Sequence, residues 1–582
     1  MCYNIRIGGV IIVRLSISKS KNSTSLYVIE SIYKNGKHSS KVVEKLGTTK
    51  ELEEKLNGQD PIEWAKKYIE ELNKREKEGK REIIVKYSPS KTIERDVQRL
   101  FNGGYLFIQQ IYYALGLHKI SEEISNKYKF TFDLNSILSR LIYGRILFPA
   151  SKLATNQLSE KFIEQPNFEL QHIYRGLEVI AKEADFIQSE LYKNSLKVSK
   201  RNTGILYYDC TNFFFEIEEE DGLKQYGISK EHRPNPIVQM GLFMDGNGIP
   251  LAFSINKGNT NEQITLTPLE EQILSDFNLS KFIVCTDAGL ASTTNRKFND
   301  KDDRAFITTQ SVKKLKKHIK EWALDPVGWY LDNDVKTYDI SKLDEAKYKD
   351  KIFYKERWIK ENGLEQKLII SYSIKYRNYQ RSIRNSQIER AQKTIDKNPG
   401  KLKKTNQNDY KRFIQKTSCT PDGEIAGKEI LSIDTELIAS EEAFDGFYAV
   451  CTNLEDDAYE IAKINKRRWE IEECFRIMKS EFKARPVYLS RDDRILAHFM
   501  TCFISLIIYR ILEKKLEEKY TCHEILKKLK EMDFYEVKGD GYIPTYIRDD
   551  LTDDLHRVFG FRTDYQIISK KQMKNIFRLT KE

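Results

Sequence analysis

The sequence predicts a multidomain protein of the mixed α/β class, and three observations support this prediction. The chain has 582 residues, which is too long for one hydrophobic core. Alternating β-branched residues near the N terminus and aromatic runs in the centre predict strands. Elsewhere, apolar residues recur every three or four positions, which predicts amphipathic helices.

The composition narrows the class of partner. Apolar residues make up 40% of the chain and aromatic residues 11%, which is typical of a globular protein. Lys and Arg number 97 against 86 Asp and Glu. The net charge of +11 is clustered, which favours an acidic polymer as partner, although a merely solvated surface is the alternative. No two of the eight cysteines have metal-knuckle spacing, so a reducing cytoplasm is expected.

No secretory signal or membrane span is expected. The most apolar stretch, Ala497–Leu512, contains His498 and Arg510 and is too short to cross a bilayer. We therefore interpret it as a buried core helix.

The first 200 residues predict two regions. Residues 1–50 alternate like a small antiparallel sheet, with a turn at Asn35 and Gly36, and Glu51–Glu78 has the composition of a charged helix. From Asn102 to about Lys200 the apolar spacing predicts a helical bundle.

The centre of the chain changes to a strand pattern. Gly204–Glu216 is a strand-like run, and Pro236–Asn256 predicts a hairpin with its turn at Asp245-Gly246-Asn247-Gly248. A capping box of Thr260 and Gln263 predicts a helix to Phe277. Two strands follow, Phe282–Thr286 and Ala305–Thr309. A ribonuclease H-like α/β core has this order: three antiparallel strands, then helix, strand, helix and strand.

A long basic segment then interrupts this core. Gln310–Glu442 mixes helix and strand signals, with basic helices predicted at Val312–Trp322 and around Tyr376–Lys393. A strand resumes at Gly446–Thr452, and Asp457–Lys483 predicts one long amphipathic helix. The interruption is of domain size.

These patterns predict six segments. They are an N-terminal sheet and helix region (1–100), a helical domain (101–200), the first part of the core (201–310), an insertion domain (311–444), the second part of the core (445–515) and a C-terminal region (516–582).

Two aspartates stand out because of where they lie. Asp209 interrupts the apolar run LYYDCTNFFF, where an unpaired carboxylate is costly unless a metal ion or another cation compensates it. Asp287 ends the buried strand of FIVCTDAGL, at the kind of strand end where ligands gather in α/β sheets. The alternatives are a surface-facing residue for Asp209 and a helix cap for Asp287.

A third carboxylate comes from the helix NKRRWEIEECFRIMKSEF. Arg468, Glu472 and Lys479 are four and then seven residues apart, so they share one face of a regular helix, with Arg476 near it. The alternative is an ordinary salt-bridged solvent face. Trp469 beside them is more typical of a core position than of a base-stacking one.

This donor set suits phosphodiester chemistry. Two divalent ions held about 3.5–4 Å apart by shared carboxylates can activate the attacking oxygen and stabilise the leaving oxygen. Two Asp and one Glu suffice for two Mg²⁺ ions, with Mn²⁺ as a substitute, because these ions prefer oxygen ligands. Arg468 and Lys479 are then suited to contact flanking phosphates.

These residues resemble the DDE transposases of the IS-four superfamily, whose signature is Tyr, two residues, Arg, three residues, Glu, six residues, Lys. Arg468, Glu472 and Lys479 match it, but Asn465 occupies the Tyr position. The chain is most similar to the long IS-sixteen-thirty-four-type branch, through SKEHRPNPIVQMGLFMDGNGIPLAF, KGNTNE, TDAGLAS, WEIEECFRIMKS and RPVYLSRDDRILAHF.

The resemblance implies a ribonuclease H-like domain with a mainly β insertion before the Glu. It implies a catalytic, metal-binding triad of Asp209, Asp287 and Glu472. It also implies that the N-terminal part recognises terminal inverted repeats and that a homodimer or higher multimer works in a synaptic complex. One strand is nicked to expose a 3′-OH, which attacks target DNA, with a hairpin intermediate in some relatives. A bacterial, nucleoid-associated location follows.

The DNA contacts predicted from the sequence are Arg468, Lys479, Arg476, Asn465, Arg381 and Arg384. Arg381 and Arg384 lie in a part of the insertion where cations alternate with tyrosines. This composition is typical of a surface that follows a nucleic-acid backbone. A solvated face is the alternative. Two other functions stay open, a metal-dependent nuclease without joining activity and an inactive domesticated DNA-binding protein.

Overall fold

The computed structural model describes residues 2–3, 13–20, 23–34, 37–56, 58–77, 83, 85, 88–397, 408–419 and 425–582. The turn predicted at Asn35 and Gly36 lies outside these residues. The chain divides into two compact units, Met1–Val97 with Val537–Gly541, and Gln98–Glu536 with Tyr542–Glu582.

The first unit is an antiparallel sheet with two helices. Its elements are β1 (Cys2–Tyr3), β2 (Val13–Lys19), β3 (Thr24–Lys34), β4 (Lys37–Thr48), α1 (Thr49–Lys55) and α2 (Pro61–Lys77). Strand β3 pairs with all three other strands. The side-chain amide of Asn73 on α2 clamps Val13, accepting from its N–H at 3.0 Å and donating to its carbonyl at 3.1 Å.

The second unit begins with a short strand and a helical bundle. Its elements are β5 (Leu100–Asn102), α3 (Tyr105–Ala114), α4 (Leu117–Lys127), α5 (Leu134–Leu147), α6 (Lys152–Ser159), α7 (Leu170–Lys182) and α8 (Ala184–Val198). The bundle confirms the helical pattern predicted from Asn102 onwards.

An eight-stranded mixed sheet follows, in the order β11-β12-β15-β10-β9-β6-β7-β8. The elements up to the insertion are β6 (Ile205–Phe214), β7 (Ile237–Asp245), β8 (Pro250–Lys257), α9 (Leu266–Asp276), β9 (Ile283–Thr286), α10 (Thr293–Phe298) and β10 (Ala305–Gln310). Strands β6, β7 and β8 are antiparallel neighbours, whereas β9 runs parallel to β6 and β10 parallel to β9. This confirms the predicted ribonuclease H-like core.

One predicted cap differs. Asn261, rather than Thr260, caps the short 3₁₀ turn before α9, because its Oδ1 accepts from the N–H of Gln263 at 3.0 Å.

The insertion is not mainly β. It contains α11 (Lys317–Leu324), α12 (Glu345–Tyr348), β11 (Phe353–Glu361), β12 (Leu364–Tyr372), α13 (Ile374–Asp396), β13 (Ile414–Cys419), β14 (Ile425–Ile433) and α14 (Thr435–Glu442). Strands β11 and β12 extend the core sheet, since β12 pairs with β15 (Phe447–Thr452), and β13 pairs with β14. The buried residues Leu368 and Ile370 of β12 share a hydrophobic cluster with Cys451 of β15, which explains why these strands join the core.

The predicted long helix after β15 is broken into three parts. They are α15 (Ala458–Lys466), α16 (Trp469–Arg476) and a π-helical segment, Ile477–Glu481. Hydrogen bonds from residue i+3 to residue i interrupt the α-helical ladder, from Arg468 N–H to Asn465 and from Ile471 N–H to Arg468. Arg468, Glu472 and Lys479 therefore do not share one regular helix, and their positions depend on the breaks.

The rest of the chain is α17 (Asp492–Lys515), α18 (Cys522–Glu531), β16 (Asp533–Val537), β17 (Gly541–Pro544), α19 (Asp550–Phe559), β18 (Ile568–Ser569) and α20 (Lys570–Leu579). Helix α17 packs against α3, α5 and α7. It is long and apolar enough to cross a membrane, but 94% of its most apolar stretch is buried inside the protein, which confirms the predicted core helix.

A buried ion pair anchors the turn between β7 and β8. Arg201 donates from Nε to Asp245 Oδ2 at 2.6 Å, and both side chains are fully buried. The other oxygen of Asp245 accepts from the N–H groups of Asn247 and Ile249 and so fixes the turn.

We expect Arg201→Met to lower the free energy of unfolding by about 3–5 kcal/mol, because Asp245 would be left as an uncompensated buried charge. Urea unfolding followed by circular dichroism measures this. The control is Lys200→Met, an exposed neighbour, which should change stability by less than about 0.5 kcal/mol. Equal stability of the two variants would contradict the role of the pair.

Candidate active site

Parallel pairing of β6 and β9 brings two predicted site residues together. The ladder pairs Tyr207 with Cys285, and Asp209 on β6 and Asp287 in the turn after β9 each follow two residues later. Asp287 is close enough for its charge to raise the pKa of Asp209. Because side chains alternate along a strand, Asp209 is on the same face as Tyr207. The Tyr207 hydroxyl donates to the carbonyl of Ile464 in α15, so this face lies towards the segments that carry Arg468 and Glu472.

Asp209 is a carboxylate in a hydrophobic strand, as predicted. Of the ten residues of β6, only Ile205 and Asp209 are not fully buried. Burial raises the pKa of Asp209 to about 6. The charge of Lys230 lowers this pKa, Asp287 raises it, and the Cys210 N–H and the Arg468 charge lower it. Asp209 and Asp287 therefore interact as like charges, with two cations nearby.

Lys230 and Glu262 were missed in the sequence analysis. The Lys230 ammonium donates to the carbonyl of Cys210, next to Asp209, and forms an ion pair with Glu262 at 3.1 Å. The loop carrying Lys230 is fastened to β6 by Asn212, which accepts from the Lys230 N–H and donates to the Ile228 carbonyl. The signal was present, because both residues belong to the segments SKEHRPNP and KGNTNE.

Asp287 lies in the turn that follows β9. Its Oδ1 accepts from the Leu290 N–H at 3.1 Å, and its carbonyl accepts from the Thr308 hydroxyl at 3.3 Å. A Cβ at Gly289 would come within 3.3 Å of the Asp287 carboxylate, so glycine keeps space beside it. The turn therefore holds the carboxylate through Oδ1.

Glu472 lies on α16 with its side chain 61% exposed, and its nearest cation is Arg468 at 3.5 Å. Within the part of the chain that the structure describes, the carboxylates of Asp209, Asp287 and Glu472 are not a cluster with all ligand atoms within 4.8 Å. The structure therefore does not bring the three predicted residues into one cluster. Asp209 and Asp287 interact with each other, whereas Glu472 pairs with Arg468.

Lys479 lies on the π-helical segment and reaches β6. Its ammonium contacts the Thr211 hydroxyl at 2.8 Å and forms an ion pair with Glu231 at 3.3 Å. Glu231 also accepts from Arg485. Burial lowers the pKa of Lys479, whereas Glu231 raises it. Glu231 therefore pairs with two cations, Lys479 and Arg485, beside the strand that carries Asp209.

The end of the π-helical segment is held by the helical bundle. Arg145 on α5 donates to the carbonyls of Phe482 and Lys483 at 2.9 and 3.3 Å. The ring of His498 on α17 contacts the Ala484 carbonyl at 3.1 Å. These contacts fix the segment that carries Lys479.

The donor set fits hard divalent cations. The carboxylates offer only oxygen atoms, and burial together with Asp287 disfavours the charged form of Asp209 unless a cation compensates it. Asp209, Asp287 and an inward-turned Glu472 would hold such an ion.

A separate acidic group does not compete with this site. Asp553, His556 and Asp564 lie within 4.8 Å of one another. However, Arg548 and Arg562 already form ion pairs with both aspartates, so the charge of this group is satisfied by arginine.

Asn465 was predicted to contact DNA, but it is buried, with 6% exposure. Its Nδ2 donates to the Tyr448 hydroxyl at 3.0 Å, which in turn pairs with the Thr309 hydroxyl at 2.8 Å. Asn465 is therefore a structural residue that links α15 to β15 and β10. Conversely, Trp469, interpreted as a core residue, is 59% exposed, because the break before α16 turns it outwards.

The remaining predicted cations differ in their surroundings. Arg384 is buried and forms a bidentate pair with Asp445 at 2.7 and 2.6 Å, so its assignment as a DNA contact was wrong. Arg381 is exposed and only weakly tied to Asp445, at 3.4 Å. Arg476 is exposed and bound by Glu473 rather than by the triad.

We expect Asp209→Asn to stabilise the metal-free protein at pH 7.5. The pKa of Asp209 is about 6 in the folded state and lies above the ordinary 3.8. Between these two pH values the folded state binds the proton more strongly than the unfolded state does. Asp209 therefore favours folding below pH 4, and this contribution is lost as pH rises through 6. The variant should gain about 2–3 kcal/mol at pH 7.5 and almost nothing at pH 4.

Urea unfolding in EDTA at both pH values measures this difference. Glu271→Gln on the exposed surface of α9 is the control and should be neutral within about 0.5 kcal/mol. A gain for Asp209→Asn that is equal at both pH values would contradict the burial of this carboxylate.

We expect Asn465→Tyr to lower the free energy of unfolding by about 1–3 kcal/mol. A larger ring would overpack a buried position, and the hydrogen bond from the Asn465 side-chain amide to the Tyr448 hydroxyl would be lost. Thermal unfolding measures the effect. Lys466→Tyr, at the exposed next position, should be nearly neutral. If Asn465→Tyr were as stable as the parent chain, tight packing around Asn465 would be refuted.

Comparison with known proteins gives the family. No curated protein matches the chain. The cryo-EM structure of the piggyBac transposase synaptic complex with hairpin DNA is similar at a TM-score of 0.34 and 10% identity, covering 82% of this chain and 84% of that chain. Residues 213–508, half of the chain, match the family described as "Transposase DDE domain", from β6 just after Asp209 to α17. The chain therefore belongs to the DDE transposases, divalent-metal-dependent enzymes that cut and join DNA.

Proposed function

We propose that this transposase recognises the terminal inverted repeats of a bacterial insertion sequence and cuts and joins its ends with Asp209, Asp287 and Glu472. The observation that carries the proposal is that Asp209 and Asp287 each follow, by two residues, the paired residues Tyr207 and Cys285 of the parallel strands β6 and β9, and that the two carboxylates interact as like charges. The spacing of Arg468, Glu472 and Lys479 supports a place in the IS-four superfamily, and segments such as TDAGLAS and WEIEECFRIMKS support its IS-sixteen-thirty-four-type branch.

The three carboxylates are proposed to bind two Mg²⁺ ions, for which Mn²⁺ can substitute. When bound, the ions supply activation of the attacking oxygen and charge stabilisation at the phosphate. Asp209 and Asp287 supply oxygen ligands from neighbouring strands. Glu472 would complete the set by exchanging Arg468 for metal, and this exchange would free the Arg468 guanidinium.

The freed cations are proposed to bind DNA. Arg468 lies close enough to Asp209 to lower its pKa, so it can hold a phosphate near the cleavage site with its bidentate fork. Lys479 can do the same as a point charge once a phosphate replaces Glu231. Exposed Arg381 and Arg476 are candidates for contacts further along the DNA.

The segments are proposed to divide the work. Residues 1–100 recognise the DNA end, 201–310 with 445–515 perform the chemistry, and 311–444 flank the DNA. A homodimer or higher multimer would hold two element ends in a synaptic complex, within the nucleoid of a bacterial cell.

The test uses a duplex with the inverted repeat found beside the gene, together with target DNA and Mg²⁺. Joined strand-transfer products support the transposase. Cleavage without joining would indicate a nuclease, and a bound but uncut duplex would indicate a DNA-binding protein that has lost activity; either result would overturn the proposal. Mn²⁺ should restore activity after removal of metal with EDTA.

We expect Glu472→Gln to reduce cleavage by more than about 1000-fold, because losing metal-ion stabilisation removes several kcal/mol from the transition state. Binding of the end duplex should stay close to that of the parent chain. Gel analysis of cleavage and a fluorescence-anisotropy titration give the two readouts.

The matched control is Glu473→Gln, the next residue on α16, which pairs with Arg476. It should cleave nearly as well as the parent chain. Normal turnover by Glu472→Gln, or an equal loss in Glu473→Gln, would remove Glu472 from the proposed triad.

A further inference from the structure

A lysine to which the proposed function gives no role lies beside Asp209. The ammonium of Lys230 donates to the carbonyl of Cys210, and the N–H of Cys210 donates to Asp209 Oδ1 at 2.7 Å. Both side chains are therefore bonded to the same residue of β6. Burial has the largest effect on the pKa of Asp209, which it raises, and the charge of Lys230, which lowers it, has the next largest.

The backbone around Lys230 is held in place on β6. The Asn212 side chain accepts from the Lys230 N–H at 3.3 Å and donates to the Ile228 carbonyl at 3.1 Å. Asn212 is buried, so water does not compete for these hydrogen bonds. The Ser229 hydroxyl accepts from the Glu231 N–H at 3.3 Å and tightens the turn. The side chain of Lys230 therefore begins at a fixed point of the fold.

Glu262 is the second partner of the ammonium. Its Oε1 lies 3.1 Å from Lys230 Nζ. The short 3₁₀ turn that carries Glu262 is tied to the turn after β9, because Gln263 Nε2 donates to the Gly289 carbonyl at 3.0 Å. Gly289 is two residues beyond Asp287. Lys230 is therefore linked to β6 directly and to the turn after β9 through Glu262.

The ammonium of Lys230 keeps one donor for a further partner. A protonated lysine has three N–H donors. The Cys210 carbonyl and the Glu262 carboxylate use two of them. The third has no hydrogen-bond acceptor among the residues that the structure describes. Because the Lys230 side chain is 40% exposed, an oxygen from a substrate can reach this donor.

The surroundings of Lys230 differ from those of an ordinary surface ion pair, which contributes little to a protein. The carbonyl that accepts from Lys230 belongs to a buried residue of the core sheet, Cys210, next to Asp209. The ammonium of Lys479 contacts the hydroxyl of the following residue, Thr211, at 2.8 Å. Two ammonium groups are thus bound to the two residues of β6 that follow Asp209. A phosphodiester at Asp209 would be attracted by both.

We propose that Lys230 is a further catalytic residue, which donates its third N–H to a non-bridging oxygen of the phosphate that is cut, and that Glu262 is a positioning residue for this ammonium. The hydrogen bond stabilises the charge on the phosphate oxygens in the transition state. Lys230 keeps its proton, so it acts through charge and hydrogen bonding alone. The proposal rests on the proposed function, because it takes the phosphate to lie at Asp209.

The test uses the full chain, Mg²⁺ and a duplex with the inverted repeat found beside the gene. We expect Lys230→Gln to slow single-turnover cleavage at saturating DNA by about 100-fold, as when one donor to a transition-state oxygen is removed. Glu262→Gln should give a smaller loss, because the ammonium remains but is less well held. Lys281→Gln is the control and should cleave as the parent chain does. Lys281 is exposed and precedes β9, so it lies at the end of this strand away from Asp287.

A phosphorothioate at the cut phosphate distinguishes a contact with the substrate from a structural effect. Each diastereomer has sulfur in place of one non-bridging oxygen, and sulfur is a weak hydrogen-bond acceptor. The ratio of the cleavage rates of the two diastereomers should therefore differ between Lys230→Gln and the parent chain, whereas Lys281→Gln should keep the parent ratio. An unchanged ratio in Lys230→Gln, or cleavage of the unmodified duplex at the parent rate, would overturn the proposal.

Thermal unfolding of each variant shows whether the fold is kept. If Lys230→Gln unfolds, Lys230→Arg takes its place in the phosphorothioate experiment. A guanidinium presents its N–H groups in a planar fork and should also change the ratio of the two rates. An unchanged ratio in that variant would equally overturn the contact.

DNA binding separates this proposal from the proposed function. Lys230→Gln should reduce the slope of log affinity against log salt by about one, as expected for one lost phosphate contact. If the parent chain binds the duplex without cutting it and Lys230→Gln shows this change, the transposase activity fails and the phosphate contact stands; an unchanged slope would remove the contact as well. If the parent chain cuts and Lys230→Gln cuts equally well, only the assignment of Lys230 fails. A parent chain that does not bind the duplex would overturn both.

Discussion

The site depends on the parallel ladder between β6 and β9. It pairs β6 with β9 up to Tyr207 and Cys285, two residues before Asp209 and Asp287, and a slip of one residue would turn Asp209 to the opposite side of the sheet. The buried neighbours of Asp209 on β6 make such a slip costly, because apolar side chains would change faces with it. The hydrophobic core therefore fixes the position of the polar Asp209 side chain, although this side chain is not part of the core.

Charge around this ladder is balanced by protein groups alone. Lys230 lies by Asp209, Arg468 by Glu472, and Glu231 between Lys479 and Arg485. Metal ions and phosphates carry charges that can replace each of these partners. Under the proposed function, substrate binding would be an exchange of ion-pair partners, in which groups that bind one another in the free protein would bind metal and DNA in the complex.

Much of the fold was predictable from the sequence, because buried strands leave a clear pattern of apolar residues. The apolar run around Asp209 and the turn at Asp245-Gly248 identified β6, β7 and β8, and their order identified the core. The helix break at Asn465 and Arg468 was not predictable, because the amide that stabilises it binds Tyr448, a partner from another strand. Arg384 was misassigned for a similar reason, since its partner Asp445 is distant in sequence and an exposed and a buried cation look alike in a single sequence.

The joining of β12 to β15 has a mechanical consequence. Backbone hydrogen bonds run continuously from the insertion into the strand that leads to α15 and α16. The insertion therefore cannot swing as a loosely tethered lobe, since any displacement at its base must shift β15 or break its ladder. Load applied to the insertion is transmitted to the segment bearing Glu472 through a rigid backbone rather than through a flexible linker.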